Sequence, residues 1–156
     1  MPPGPDSLAR LAAFFATAPA AARAVRPLSR SARIGLELEE GPAGFEVTDG
    51  VPGLTAGAPA DPDFTLRLPA EAVARLCSRT EAGVGELGVL FFSLARSRDP
   101  ALRIGIRLHA PTRRLLAAGY LAVLALGGPS VALWLLRRGL ADPRAVIERL
   151  RRPAGR

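Results

Sequence analysis

The pattern of apolar and polar residues changes its period along the chain. Asp6, a residue type that caps helix N-termini, precedes apolar residues at helical spacing: Leu8, Leu11, Ala12 and Phe15. From residue 34 onwards the period falls to two, which is typical of strands with one buried and one solvated face. Segments of this kind are 34–38, 45–47, 51–57, 64–68 and 102–108. The pattern therefore predicts an N-terminal helix followed by an antiparallel or mixed sheet that is wet on one face.

Turn and helix signals separate these segments. Asp49-Gly50 is a strong hairpin signal, and Pro52 restricts the return strand to an edge or a short piece, because proline cannot donate a backbone hydrogen bond. Apolar periodicity, proline and capping residues predict helices over about 69–79, 84–97, 111–126, 131–138 and 143–152. The predicted order is one helix, four strands, two helices, one strand and then further helices.

Residues 115–136 contain no charged side chain, and pairs of arginines flank them at 113–114 and 137–138. Length alone would allow a transmembrane helix. Gly127-Gly128-Pro129-Ser130 interrupts the segment, however, and backbone groups released by a helix break are costly in lipid. The interruption favours two ordinary helices of a domain. Their surplus apolar surface then forms core, lines a cavity for a hydrophobic ligand or provides a docking surface.

Composition narrows the function classes. The 156 residues fit one domain, 49 % of them are hydrophobic, and the net charge is +7 with arginine as the only basic residue besides one histidine. Phosphate recognition could select arginine, but the absence of lysine favours an Arg- and Ala-biased genome and would fit a bacterial source. The arginines are spread out, with one dense cluster at 144–156, so we do not expect nucleic acid as a partner.

Few residues could carry chemistry. His109 and Cys77 are the only histidine and the only cysteine, so neither an internal disulfide nor a metal site is expected. Residues 83–88 match G-x-G-x-x-G but follow a predicted helix rather than a strand, which excludes the dinucleotide interpretation. Glutamates and arginines of the polar sheet face are expected to balance one another in solvent: Glu37, Glu39, Glu46, Arg67, Arg103 and Arg107. We expect no cofactor, no catalytic residue and no enzymatic activity.

One stretch of sequence points to a known family. It runs from Phe45-Glu46-Val47-Thr48-Asp49-Gly50, through 57–63, to Phe64-Thr65-Leu66-Arg67-Leu68-Pro69-Ala70-Glu71, and a closing strand follows at 102–108. This order resembles the sterol-carrier-protein-2 (SCP2) lipid-binding family over about 33–126, although His109-Ala110-Pro111 stands where that family often has a Gly-Asp turn. The resemblance implies an α+β fold with a five-stranded, mostly antiparallel sheet covered on one face by helices. We divide the chain into an N-terminal helix and linker (1–30), an SCP2-like domain (31–140) and a basic C-terminal helix and tail (141–156).

The resemblance also implies non-covalent binding of a lipid, sterol-like or isoprenoid molecule, with transfer or presentation to an enzyme as a further role. We expect seven residues to contact the ligand, and each of them could equally belong to the core. They are Phe91, Phe92, Leu94, Leu116, Tyr120, Leu124 and Trp134. An alternative is a peripheral membrane or scaffold protein that docks through the apolar helices of 115–136. Because no basic stretch precedes an apolar run at the N-terminus, we expect a cytoplasmic protein, with contact to the inner membrane left open. The oligomeric state also stays open.

Overall fold

A computed structural model describes residues 6–29, 31–49 and 51–128, together with Leu133, Arg137, Glu148 and Arg151. The side chains of Pro52, Leu121 and Leu124 are outside this description, as are most of the residues of the helices predicted at 131–138 and 143–152. The elements in chain order are α1 (Ser7–Thr17), α2 (Pro19–Val25), β1 (Arg33–Leu38), β2 (Gly41–Thr48), β3 (Val51–Ala56), β4 (Phe64–Arg67), α3 (Ala70–Cys77), α4 (Val84–Ala95), β5 (Gly105–Leu108), α5 (Thr112–Ala117) and α6 (Tyr120–Leu126).

The five strands form one sheet in the order β3-β2-β1-β4-β5. β1–β2, β2–β3 and β4–β5 pair antiparallel, whereas β1 and β4 pair parallel, with Ile34 opposite Phe64. The α+β prediction is therefore confirmed, but the sheet is mixed rather than mostly antiparallel. The reason is the connection 57–63, which returns the chain from β3 to the start of β4, so that β4 runs in the direction of β1.

The connection 57–63 crosses the solvated face of the sheet. A Cβ atom on Gly44 would lie 3.2 Å from Pro59 Cδ, closer than ordinary van der Waals contact, so glycine favours the close approach of the connection to β2. Arg33 Nη1 donates a hydrogen bond of 3.2 Å to the carbonyl oxygen of Ala60. The connection is thus fixed to the sheet just before β4 begins.

The helices cover the opposite face of the sheet. Asp6 caps α1 as predicted, since its carboxylate accepts a hydrogen bond of 2.7 Å from the backbone N–H of Ala9. Two carboxylates of the β1–β2 turn also accept backbone hydrogen bonds from helix N-termini, Glu40 from Leu8 (2.9 Å) and Glu39 from Ala70 (3.2 Å). The turn therefore fixes α1 and α3 relative to the sheet.

One buried core joins the N-terminal helices to the sheet. Leu11, Val25 and Leu28 belong to the same cluster of buried residues as Leu36 and Phe45. Residues 6–29 thus pack against the unit that the sequence analysis places at 31–140. The domain boundaries themselves stay predictions.

The helices differ from the predictions in two places. α2, which begins with Pro19 as its first residue, lies where we predicted a linker. The single helix predicted at 111–126 is divided into α5 and α6 by Gly119, whose φ angle is +92°. A Cβ atom on Gly119 would collide with the carbonyl oxygen of Pro27, and Ser29 N donates a hydrogen bond of 3.0 Å to Ala118 O. The break therefore lets the chain pack directly on the segment between α2 and β1.

Candidate ligand-binding cavity

An apolar cavity of about 410 Å³ lies between the helices and the sheet. Its floor is the apolar face of the sheet: Ile34, Leu36, Phe45, Leu54, Phe64, Leu66, Leu68, Ile106 and Leu108. Its walls come from the helices and the segments beside them: Leu11, Phe14, Phe15, Ala21, Ala24, Val25, Leu28, Leu76, Val84, Leu87, Gly88, Phe91, Phe92, Leu115, Leu116, Tyr120, Val123 and Gly127. The volume falls within the range of about 300–1,000 Å³ that is typical of small-molecule sites.

α4 forms one side of the cavity. It packs mainly on α2, α3 and α6, and its residues Val84, Leu87, Phe91 and Phe92 line the cavity. Leu94 is its only buried residue, although most of its sequence is apolar. Phe91 and Phe92 are half-buried and contact each other edge to face, with ring centroids 5.5 Å apart. α4 therefore behaves as a cover over the cavity rather than as a core helix.

The described lining is almost free of polar groups. Every described lining residue is apolar or glycine, apart from Tyr120 with its phenolic hydroxyl. That hydroxyl donates a hydrogen bond of 2.7 Å to Asp63 Oδ2, so its proton is already paired within the protein. The Tyr120 ring contacts Phe64 edge to face at 4.9 Å. The described lining therefore offers hydrocarbon and aromatic surface, and no charged group, to whatever enters the cavity.

A buried carboxylate lies beside the cavity. Asp63 is 0 % exposed, and its Oδ2 atom accepts hydrogen bonds from the Tyr120 hydroxyl and from the backbone N–H of Arg33 (3.0 Å). Arg114 Nε lies 2.7 Å from Asp63 Oδ1, an ion-pair contact without the alignment of a hydrogen bond. We call Asp63, Tyr120 and Arg114 the Asp63 cluster. Its positive partner compensates the buried charge, which would otherwise be costly.

Arg114 also reaches the solvent side of this cluster. Its Nη1 atom donates a hydrogen bond of 2.9 Å to Asp61 Oδ2, and its Nη2 atom donates one of 3.2 Å to the Asp61 carbonyl oxygen. Asp61 is exposed and adopts a φ of 51°. The hydrogen bond from Arg114 and its charge hold the pKa of the Asp61 carboxyl below its usual value. Burial, followed by the hydrogen bond to Asp63, raises the pKa of Tyr120 far above its usual value.

The structure brings four of the seven predicted contact residues to the cavity. Phe91, Phe92, Leu116 and Tyr120 line it, whereas the side chain of Leu124 and the whole of Trp134 lie outside the described residues. Their contact with a ligand stays a prediction.

Leu94 is not among the described residues that line the cavity, and its contact with a ligand stays a prediction. It is 5 % exposed, and its carbonyl oxygen accepts a hydrogen bond of 3.3 Å from Ile104 N. It lies in the last turn of α4, where the helix meets the segment that leads into β5. Leu94 is therefore core.

Sequence reasoning missed two parts of the site. The aromatic pair Phe14 and Phe15 on α1 contributes to the wall, and the helical period around these residues could have indicated that role. Asp63 was given no role in the sequence analysis. Its only signal was its position between Pro62 and the apolar strand residue Phe64, because burial of a carboxylate depends on partners that are distant in sequence.

The solvated face of the sheet matches the predicted charge balance in part. Arg107 Nη1 lies 3.8 Å from Glu37 Oε1, and both side chains are exposed. Thr65 Oγ1 and His109 Nε2 are 2.8 Å apart on the same face. In the described part of the chain, no group of three or more His, Cys, Asp and Glu side chains is placed to hold a metal ion.

Two further findings concern the helices as candidate membrane spans and the comparisons with known proteins. Among the residues that the structure describes, none of the helices is by itself both long and apolar enough to cross a membrane; α1 and α2 together pass by length and composition, with a bend of 90° between them. No family model, no curated protein and no solved structure matches the chain.

Proposed function

We propose that this protein binds a hydrophobic small molecule, such as a lipid, sterol-like or isoprenoid molecule, non-covalently in the cavity beneath α4. The observation that carries the proposal is a cavity of about 410 Å³ whose described lining contains a single polar side chain, Tyr120. A five-stranded sheet with helices on one face supports the SCP2-like interpretation at the level of architecture. In this proposal the protein carries or presents its ligand and has no catalytic residue.

The energetics favour a large apolar ligand. Removal of hydrocarbon from water contributes about 0.8 kcal/mol per methylene group. Association costs at least about 4 kcal/mol in lost translational and rotational freedom. More than about five methylene groups must therefore be buried before binding becomes favourable. This requirement selects long chains, isoprenoid units or fused rings over small organic molecules.

The lining also restricts where a polar head group can lie. Burial of an unpaired charge in an apolar site is costly, and the described lining offers it no partner. Leu116 lines the cavity and is nevertheless 44 % exposed, so the cavity reaches solvent beside it. The exposed side chain of Arg113 belongs to the same helix, α5. We expect the hydrocarbon part of the ligand in the cavity and any head group at this opening.

Native mass spectrometry of protein purified without detergent tests the proposal. We expect an additional mass of a few hundred daltons that disappears after organic extraction, with the extract containing a lipid or isoprenoid. Protein that arrives without ligand is then titrated with N-phenyl-1-naphthylamine, an uncharged dye that fluoresces in apolar surroundings. Absence of both a bound mass and a saturable dye signal would contradict the proposal.

A second candidate function is peripheral attachment to an anionic membrane. Among the described residues of the segment 115–136, three large apolar side chains are exposed, namely Leu116 (44 %), Leu126 (40 %) and Leu133 (50 %). Arg113 and Arg137 next to this segment are also exposed, and the net charge is +7. Apolar side chains with neighbouring arginines are typical of helices that lie at a lipid interface.

Sedimentation with vesicles separates the two functions. A membrane-attached protein co-sediments with phosphatidylglycerol vesicles, co-sediments less with phosphatidylcholine vesicles and loses the difference at high salt. A carrier instead takes up the dye in the absence of vesicles. Two variants assign each result to one surface. Leu126→Ser should weaken co-sedimentation, because Leu126 is exposed, whereas Leu36→Ala should change dye uptake, because Leu36 is a floor residue of the cavity.

A further inference from the structure

We propose that Asp63 is a positioning residue that holds one wall of the cavity against the sheet and thereby sets the rate at which a bound molecule leaves. This wall is called here the α5–α6 wall, and its described lining residues are Leu115, Leu116, Tyr120 and Val123. The inference rests on the proposed function for its effect on release. The positioning itself concerns the protein alone.

Asp63 is firmly fixed to the sheet. Its backbone N–H donates a hydrogen bond of 2.8 Å to the carbonyl oxygen of Arg33 in β1. Its own carbonyl oxygen accepts hydrogen bonds from His109 N (3.0 Å) and Ala110 N (2.9 Å), directly after β5. The next residue, Phe64, begins β4 and belongs to the cavity floor. Asp63 therefore has a position that is set by three strands.

Its side chain makes two separate links to the α5–α6 wall. Arg114, the ion-pair partner at 2.7 Å, lies in α5 beside Leu115 and Leu116. Tyr120, the hydrogen-bond donor at 2.7 Å, is the first residue of α6. One carboxylate on the sheet thus holds both helices of the wall.

The wall depends on such links because its helices are short. α5 has 6 residues and α6 has 7, far below the length of about 12–15 residues at which isolated helices become marginally stable. Gly119 between them packs against Pro27, and α6 also contacts α2 and α4. Of these contacts, the Asp63 cluster is the one that ties the wall to the floor of the cavity by charged groups.

Asp61 provides the matched comparison. Both aspartates pair with Arg114, but the side chain of Asp61 is 75 % exposed whereas that of Asp63 is 0 % exposed. An exposed ion pair is screened by water and contributes little. Asp61 also has no contact with Tyr120 among those that the structure shows. Only loss of the Asp63 links should therefore release the wall.

The test measures release of N-phenyl-1-naphthylamine by stopped-flow fluorescence in the wild type, Tyr120→Phe, Asp63→Asn and Asp61→Asn. Tyr120→Phe keeps the ring in the wall and removes the hydroxyl alone. We expect release about tenfold faster in Tyr120→Phe, which corresponds to about 1.4 kcal/mol, and at least as fast in Asp63→Asn. Asp61→Asn should stay within about twofold of the wild type.

Hydrogen exchange separates positioning from general destabilisation. Amides of 112–126 should exchange faster in Tyr120→Phe, whereas amides of β1 and β2 keep their wild-type protection. Val73→Ala, a core change outside the cavity lining, should lower overall stability without accelerating release.

Each outcome decides one of the two proposals. Wild-type release rates in Tyr120→Phe, or faster exchange throughout the chain, would overturn the positioning role while leaving the cavity function intact. If the wild type shows neither a bound mass nor a saturable dye signal, the proposed function fails, and the exchange of 112–126 alone decides the positioning role. If Asp63→Asn does not fold, Tyr120→Phe supplies the answer.

Discussion

Tyr120 Oη and Asp63 Oδ2 are 2.7 Å apart, and through this hydrogen bond a wall of the cavity is attached to a fully buried carboxylate. Tyr120 is the only tyrosine of the chain. Burial disfavours its phenolate form, and the hydrogen bond to Asp63 and the negative charge of Asp63 add to this effect, so the pKa of Tyr120 is raised well above 10.0. Any phenolate absorbance of the chain therefore comes from Tyr120 and reports on this contact.

The first prediction concerns alkaline titration, followed by the phenolate absorbance at 295 nm. Because the raised pKa of Tyr120 favours the protonated folded state, its contribution to stability is complete below pH 10 and is lost as the pH rises further. We expect no phenolate in native protein near pH 10, and phenolate formation only together with unfolding seen by circular dichroism. In Asp63→Asn the phenol should ionise at lower pH. Ordinary titration near pH 10 in a folded wild type would contradict the hydrogen bond.

The second prediction concerns the close contact at Gly119. Its φ of +92° and the carbonyl oxygen of Pro27 both exclude a side chain there. Gly119→Ala should lower the free energy of unfolding by about 2–4 kcal/mol, measured by urea denaturation. Gly57→Ala is the control, because Gly57 has a φ of +96° but no atom within 4 Å of the added Cβ. Its cost should be limited to about 1–2 kcal/mol of backbone strain. Equal costs for the two variants would refute the collision.

The third prediction concerns the reactivity of Cys77, the only cysteine. Burial raises the pKa of its thiol to about 11 from an ordinary value of 9.0, although the charge of Arg10 opposes the shift. The thiolate is the reactive form, so Ellman's reagent at pH 8 should react about a hundredfold more slowly than with an unperturbed thiol. Unfolding the same protein in guanidinium should restore the ordinary rate. A rate that does not change on unfolding would show that Cys77 is not shielded.

Alternation along the chain was sufficient to predict the strands but not all of their directions. Ile34, Leu36 and Leu38 face the helices, as their period of two indicates, and Asp49 lies in the predicted hairpin. Period two carries no information on whether two strands run parallel. The parallel pair β1–β4 arises from the connection 57–63, which passes close to β2 where Pro59 approaches Gly44.

The site was predictable only where it follows local periodicity. Phe91 and Phe92 lie on the apolar face of a predicted helix, and the structure places both at the cavity. Leu94 belongs to the same face but lies about one turn further along the helix, where its carbonyl oxygen accepts a hydrogen bond from Ile104 N. Its side chain is buried in the core. Which residues of one apolar face reach a cavity depends on how far the helix lies from the sheet. That distance is set by tertiary packing, and the same is true of the burial of Asp63.

The last prediction tests whether the cavity is accessible space or is filled by the protein itself. Leu66 lies on the floor, so the larger side chain of Leu66→Phe has room in a cavity of about 410 Å³. The variant should keep or increase its free energy of unfolding, because it buries more apolar surface, while the affinity for N-phenyl-1-naphthylamine falls. Leu94→Phe is the matched control, since Leu94 is 5 % exposed and lies outside the lining. The same change in a filled core costs about 1–3 kcal/mol, and it should leave dye affinity unchanged in the folded fraction. If both variants lose similar stability in urea denaturation, the space above Leu66 is occupied by protein, and a ligand cannot bind there.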